Sequence, residues 1–108
     1  MFLPELRPRR SLAFVDFEFD PSKDEANRAK HGVSLALAEV LFAGPHLTVE
    51  DDRIDYGEAR RIAFGHVRER LFVCVFVDRG STRRIISLRK ANWREVKRYG
   101  KKAEQGRD

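Results

Sequence analysis

The chain has 108 residues, 42% of them hydrophobic and 36% charged, with a formal net charge of +5; this suffices for one compact domain with its own core and is too short for two. No apolar run approaches the roughly 18 residues of a membrane span, Met1–Arg10 lacks the ordered regions of a signal peptide, and the single cysteine permits no intrachain disulfide. The expectation is a soluble protein of the reducing cytoplasm with no membrane partner.

Residues 1–13, with two prolines and three arginines, read as an extended or mobile lead-in, residues 14–100 as a single domain, and residues 101–108 as a charged tail. Leu12–Phe19 alternates and predicts a first strand. Asp20 is a helix N-cap, Pro21 suits the first helical position and Gly32 supplies a left-handed stop, so a short helix spans residues 21–31. Lys23, Asn27 and Lys30 share a narrow polar stripe with His31 on its flank, while the opposite side carries Ala26 and Ala29. Burial contributes little to such a helix, which leaves the stripe in need of another purpose.

Ser34 caps a second helix, Leu35–Ala43, ended by Gly44-Pro45. Leu47–Glu50 is a short strand, followed by an acidic loop through Glu58 that turns at Tyr56-Gly57. Arg61–Val67 alternates, Arg68-Glu69-Arg70 turns, and Leu71–Val77 is apolar on both faces and hence central. Arg83–Leu88 follows, and Asn92 with Glu95 forms a capping box for a last helix that stops at Gly100. This order predicts an α+β domain: an antiparallel sheet of about four strands, two N-terminal helices and one C-terminal helix, packed mainly on one face.

Charge is unevenly spread along this order. Residues 1–78 carry 11 Lys+Arg against 14 Asp+Glu, a net of −3, whereas residues 79–102 carry 10 against 1, a net of +9. The basic block suits a nucleic acid, an acidic protein or merely a solvated helix.

His31, His46, His66 and Cys74 lack metal-ligand spacing, no phosphate-cradling glycine loop is present, and Glu50-Asp51-Asp52 with Asp55 reads as a solvated acidic loop, so no metal or cofactor is expected. Cys74 reads as a buried small hydrophobe. What remains is one imidazole, His31, and the cations Lys23, Lys30, Arg60, Arg61, Arg83, Arg84 and Arg89. RNA cleavage by the substrate's own 2′-hydroxyl needs proton transfer and positive charge for the transition-state phosphate, which this inventory supplies without a metal. The plain alternatives stand beside it: His31 as a helix C-terminal residue, Lys23 and Lys30 as solvated surface, Arg60 and Arg61 as partners of Asp55 and Glu58. In a regular strand Arg84 and Arg89 face opposite ways, so they converge only if the strand ends or bulges before Arg89.

In order, Phe17-Glu18-Phe19-Asp20-Pro21, Lys23, Asn27, Lys30-His31-Gly32-Val33, Phe42, Gly57-Glu58-x-Arg60, Gly65, the Leu71–Val77 strand, Arg84-Ile85-Ile86-Ser87-Leu88-Arg89-Lys90-Ala91, Glu95 and Tyr99 resemble the BrnT family of bacterial type II toxins. The likeness covers about residues 15 to 99. Phe19, Leu35 and Leu88 depart from it by apolar exchanges, which repack a core rather than abolish a fold. The resemblance implies a RelE-like fold and a metal-independent endoribonuclease that inhibits translation and growth. Joined to the cation set and its one imidazole, it leads to the expectation of His31, Arg84 and Arg89 as catalytic residues and Lys23, Lys30, Arg60 and Arg83 as RNA-binding residues. It also implies neutralisation by a BrnA-like ribbon-helix-helix antitoxin, contact with operator DNA only through that complex, and allows a dimer within it. Leu71–Val77, apolar on both faces, separately leads to the expectation that such a partner rather than the helices covers one sheet face. The competing expectations are a non-catalytic subunit that grips nucleic acid or antitoxin through the +9 block, and a toxin that has lost activity but still binds antitoxin.

Overall fold

The computed structural model describes residues 16–53 and 57–106. The lead-in of residues 1–13, the first part of the predicted strand, Asp55, Tyr56 and the final two residues lie outside them. Strands β1 (Asp16–Glu18), β2 (His46–Asp51), β3 (Arg60–Val67), β4 (Arg70–Arg79) and β5 (Thr82–Lys90) form one sheet in the order β1-β5-β4-β3-β2, with β1 parallel to β5 and every other pairing antiparallel. Five strands replace the expected four because both β1 and β2 join the sheet.

Helix α1 (Pro21–His31) begins and ends where its sequence dictates. The Asp20 side chain accepts the Ser22 N–H at 2.9 Å, and Gly32 adopts φ 77°, a left-handed conformation open to glycine without strain. The second predicted helix is two pieces, a 3-10 turn at Leu35–Leu37 and a short α2 (Ala38–Ala43). Asp24 explains the tight start: its carboxylate accepts from both the Ser34 hydroxyl and the Leu35 N–H, pinning that turn to α1.

Helix α3 (Trp93–Glu104) has the expected capping box but runs through Gly100. Ala103 is fully buried, so the last turn has a surface to pack on, and the left-handed stop falls to Gly106 instead. The larger correction concerns layers. Central β4 presents Phe72, Cys74 and Phe76 to one face and Leu71 and Val73 to the other, and one helical layer cannot bury both. The turn, α2 and the edge of α1 cover the first face with Leu35, Ala38 and Leu41; α3 covers the second, with Tyr99 stacked on Phe64 at 4.1 Å between ring centroids. On the first face Leu41 lies so close to β3 that a Cβ on Gly65 would sit 2.9 Å from it, so only glycine fits there without displacement. Helix α3 packs over β2 and β3; beyond it the second face is lined by the long side chains of β5, with Val77 buried beneath them.

Candidate functional site

The part of the second face beyond α3 is shaped by an irregularity in β5. Val75 pairs with Ser87 and Phe76 with Ile85, so Ile86 is an extra residue, a β-bulge. The bulge reverses the alternation and brings Arg84 and Arg89, five residues apart, onto the same face. Glu18 pairs with Arg84, Arg84 with Val77, and Arg60 with Asp51; continuing the β3–β4 register from Arg61 and Phe76 sets Arg60 beside Val77. One row of side chains thus runs Glu18, Arg84, Val77, Arg60, Asp51 across the whole sheet. Arg60 and Arg84 are two strands apart, roughly 10 Å between backbones, and Arg89 lies roughly 13 Å along β5 from Arg84.

Long side chains and two neighbouring elements close these gaps. Arg53, just past β2, folds back on Asp51 with a two-pronged bond, Nε to Oδ1 at 2.7 Å and Nη2 to Oδ2 at 2.8 Å, and its charge reaches Arg89. Arg79 grips Glu58 in the same way, and the charges of Arg60 and Arg84 act on that carboxylate too. Among the described residues, guanidinium groups from the β2 end, β3, β4 and β5 therefore address one surface. Such an arrangement repels itself and is relieved by anions, here carboxylates and in principle phosphates.

Helix α1 lies along the free edge of β5 beyond the short β1. Asn27, buried at 6% exposure, acts as a substitute strand partner: its side chain donates to the Leu88 carbonyl at 2.9 Å, accepts the Leu88 N–H at 3.1 Å, and donates to the Val33 carbonyl at 3.0 Å. Within the polar stripe Asn27, with half-buried Asp24 and His31 beside it, marks the inward side of α1, while Ala26 and Ala29 are exposed. This docking sets the ends of α1 against the two arginines. The Arg84 charge acts on Asp20 at its start, and the Arg89 charge acts on His31 at its end. Partial burial, then Lys30 and then Arg89 hold the His31 imidazole below its ordinary pKa of 6.5. A ring so placed is neutral at neutral pH, able to accept a proton. Lys23 and Lys30 are exposed on the margin of the same stripe.

The arginines differ in how they are held. Arg84 makes a single bond to Glu18 at 2.8 Å, with both side chains partly open to solvent. Arg89 is clamped by two bonds of 2.8 Å to Glu95, which raise the Arg89 pKa and lower that of Glu95. The same carboxylate receives the Asn92 N–H at 2.9 Å in the capping box of α3. Arg83 is the predicted residue that the fold does not bring to this surface. It points to the first face, where its guanidinium lies 4.6 Å from the Phe42 ring centroid and 4.4 Å from that of Phe76, and binds Asp78 through both prongs.

Sequence reasoning did not mark Arg53, Arg79, Glu18 or the second role of Glu95. The Asp51-x-Arg53 spacing is a local signal for the first; the others depend on pairings between distant segments. Among the described residues no three His, Cys, Asp or Glu side chains cluster as a metal site, and Asp51, Glu58, Glu18 and Glu95 are each engaged by arginine. Burial pushes the Cys74 thiol up to about 12, the state of an inert core residue. No described helix is long and apolar enough to cross a membrane.

This surface combines guanidinium forks with a neutral imidazole on a sheet flanked by helices. No individually curated protein matches the chain. A family model described as the ribonuclease toxin, BrnT, of type II toxin-antitoxin systems matches residues 19–95, from the end of β1 to the first turn of α3. The match contains β2 to β5, α1 and α2, and with them His31, Arg60, Arg84, Arg89 and Glu95. The chain belongs to the BrnT family of type II toxin-antitoxin ribonuclease toxins.

Proposed function

We propose that the protein is an endoribonuclease that works without a metal ion, with the surface between α1 and the bulged β5 as its site. The observation that carries this reading is the bulge at Ile86, which gives Arg84 and Arg89 a common face; the Arg89 charge also reaches His31 at the end of α1. In the proposed step the neutral His31 ring takes the proton of a ribose 2′-hydroxyl, whose oxygen attacks the adjacent phosphorus. The bond to the 5′-oxygen of the next nucleotide breaks, and that oxygen takes a proton from the imidazolium or from water. The products are a 2′,3′-cyclic phosphate and a 5′-hydroxyl. Arg84 and Arg89 bind the non-bridging oxygens as their charge grows. Lys23, Lys30 and Arg60 line the approaches and position the flanking phosphates, while Arg83 serves the core.

Membership of the family supports an antitoxin partner. We take that partner to be a BrnA-like ribbon-helix-helix protein that neutralises the toxin, with operator DNA contacted only through the complex and a dimer formed within it. RNA cleavage in the cytoplasm would then stop translation and growth. The test is cleavage of RNA in EDTA by protein freed of antitoxin, with end-group analysis of the products. Cyclic phosphate ends formed by wild type and lost in His31→Ala and Arg84→Ala are expected. Tight, salt-sensitive RNA binding with no turnover would replace this reading with a non-catalytic subunit.

A further inference from the structure

Trp93 is the only tryptophan of the chain, and it is 68% exposed at the first position of α3. Val96, one turn on, is 45% exposed, so the start of this helix offers an apolar ledge in the most basic part of the sequence. The Arg94 guanidinium lies 5.0 Å from the centroid of the indole ring. Nothing in the packing requires this: α3 is anchored by Tyr99 and Ala103, and the ledge lies outside that core. A large exposed aromatic is the unusual observation on a protein surface, where a scattered small apolar residue is not.

The capping box ties the ledge to the candidate site. Glu95 Oε1 receives both Arg89 Nη1 at 2.8 Å and the Asn92 N–H at 2.9 Å, which places the Arg89 guanidinium within about 6 Å of the backbone nitrogen just before Trp93. Trp93 and Glu95 leave the helix on opposite sides of its first turn. A strand whose phosphate rests on Arg89 reaches the indole by crossing that turn, a helix diameter of about 10 Å. Base stacking on an exposed aromatic among cations is the general means of holding single-stranded nucleic acid.

We propose that Trp93, backed by Arg94, is a stacking platform for a nucleobase of single-stranded RNA flanking the phosphate bound at Arg89. The proposal rests on the ribonuclease reading for its site. Because every base has a stacking face, the platform adds affinity and register and little sequence preference.

The single tryptophan makes the test direct. A 5′-labelled, 2′-O-methylated oligoribonucleotide, which lacks the attacking hydroxyl, is titrated into antitoxin-free protein while probe anisotropy and tryptophan emission are followed together. Emission is expected to be quenched in step with binding. Trp93→Ala is expected to weaken binding about tenfold and Trp93→Phe less than threefold, while an abasic oligomer binds wild type and Trp93→Ala alike. Thermal melts of both variants should match wild type, since the side chain is exposed.

Equal affinities for wild type and Trp93→Ala, or unmoved emission while anisotropy saturates, overturn the proposal. So does the absence of RNA binding, or emission that responds only to an antitoxin, which would give the ledge to a protein partner. Cleavage is scored separately on an unmethylated oligomer. Failure of wild type to cut it sinks the ribonuclease reading and leaves the binding result to be judged by itself.

Discussion

Arg83 and Arg84 are neighbours in the chain with opposite surroundings. Arg83 lies on the helix-covered face, sandwiched against Phe42 and Phe76 and bound through two prongs to Asp78, its side chain only 19% exposed. Arg84 lies on the other face, beyond α3, a face open in the sense that no described helix packs over it as α2 does over Arg83. It has one bond to Glu18, a 27% exposed side chain and a row of further cations beside it. An arginine with aromatic faces and a matched carboxylate is already satisfied and acts as packing. One with a single partly solvated partner can exchange it for a phosphate at little cost. The strand's alternation makes the difference, and the bulge at Ile86 then adds Arg89 to the side of Arg84.

The largest effect should come from the open face. Arg84→Ala and Arg89→Ala are each expected to lower the RNA cleavage rate by about 10²–10³ and to leave the urea unfolding midpoint nearly unchanged for Arg84. Arg89→Ala also frees Glu95, so a loss of up to about 1 kcal/mol is expected there. An Arg84→Ala protein that unfolds early but cleaves normally once folded would reverse the assignment of the two neighbours.

Asn27 comes next, because it joins the two elements that meet at the site. Asn27→Ala leaves the Leu88 carbonyl and N–H and the Val33 carbonyl without their partner at a buried edge, a loss of about 2–3 kcal/mol in urea unfolding. A change below about 0.5 kcal/mol would mean that water fills the place of the amide. The closed face answers more weakly. Arg83→Ala removes two ring contacts and a partly exposed ion pair, worth about 1 kcal/mol together, and should leave the cleavage rate of the folded enzyme unaltered.

These contrasts also show which features local sequence can carry. The caps of α1 and the capping box of α3 were legible because donor and acceptor lie within three residues of each other. The candidate residues could be listed from the sequence as cations and one histidine. Their sorting was not: whether Arg84 or Arg83 faces the site depends on which side of the sheet α2 covers, and Arg84 joins Arg89 only through a register shift against β4. The extent of α3 past Gly100 likewise follows from a pocket for Ala103 formed by distant strands. Asn27 read only as part of a polar stripe without a stated purpose, because its partner, the unpaired edge of β5, is 61 residues away.

The smallest effect is a pH dependence, and its sign is fixed by the direction of the His31 shift. Burial first, then Lys30 and Arg89, depress the pKa of the folded imidazole below 6.5, its value in the unfolded chain. Above 6.5 both states carry neutral rings and His31 adds no pH dependence to stability. As pH falls from 6.5 toward the lower folded value, the unfolded chain binds the proton first, so stability declines across that window and levels off below it. The open face gives the same shift a catalytic reading: the neutral base persists to a pH below 6.5, so cleavage should stay near its maximum at neutral pH and fall with an apparent pKa under 6.5. Glu95→Gln weakens the clamp that fixes Arg89 and leaves its charge less compensated near the ring, which should move that acid limb further down. Arg83→Ala, acting across the sheet, should not move it. A shift with Arg83→Ala and none with Glu95→Gln would place the titrating group on the closed face, against the separation that the bulged strand imposes.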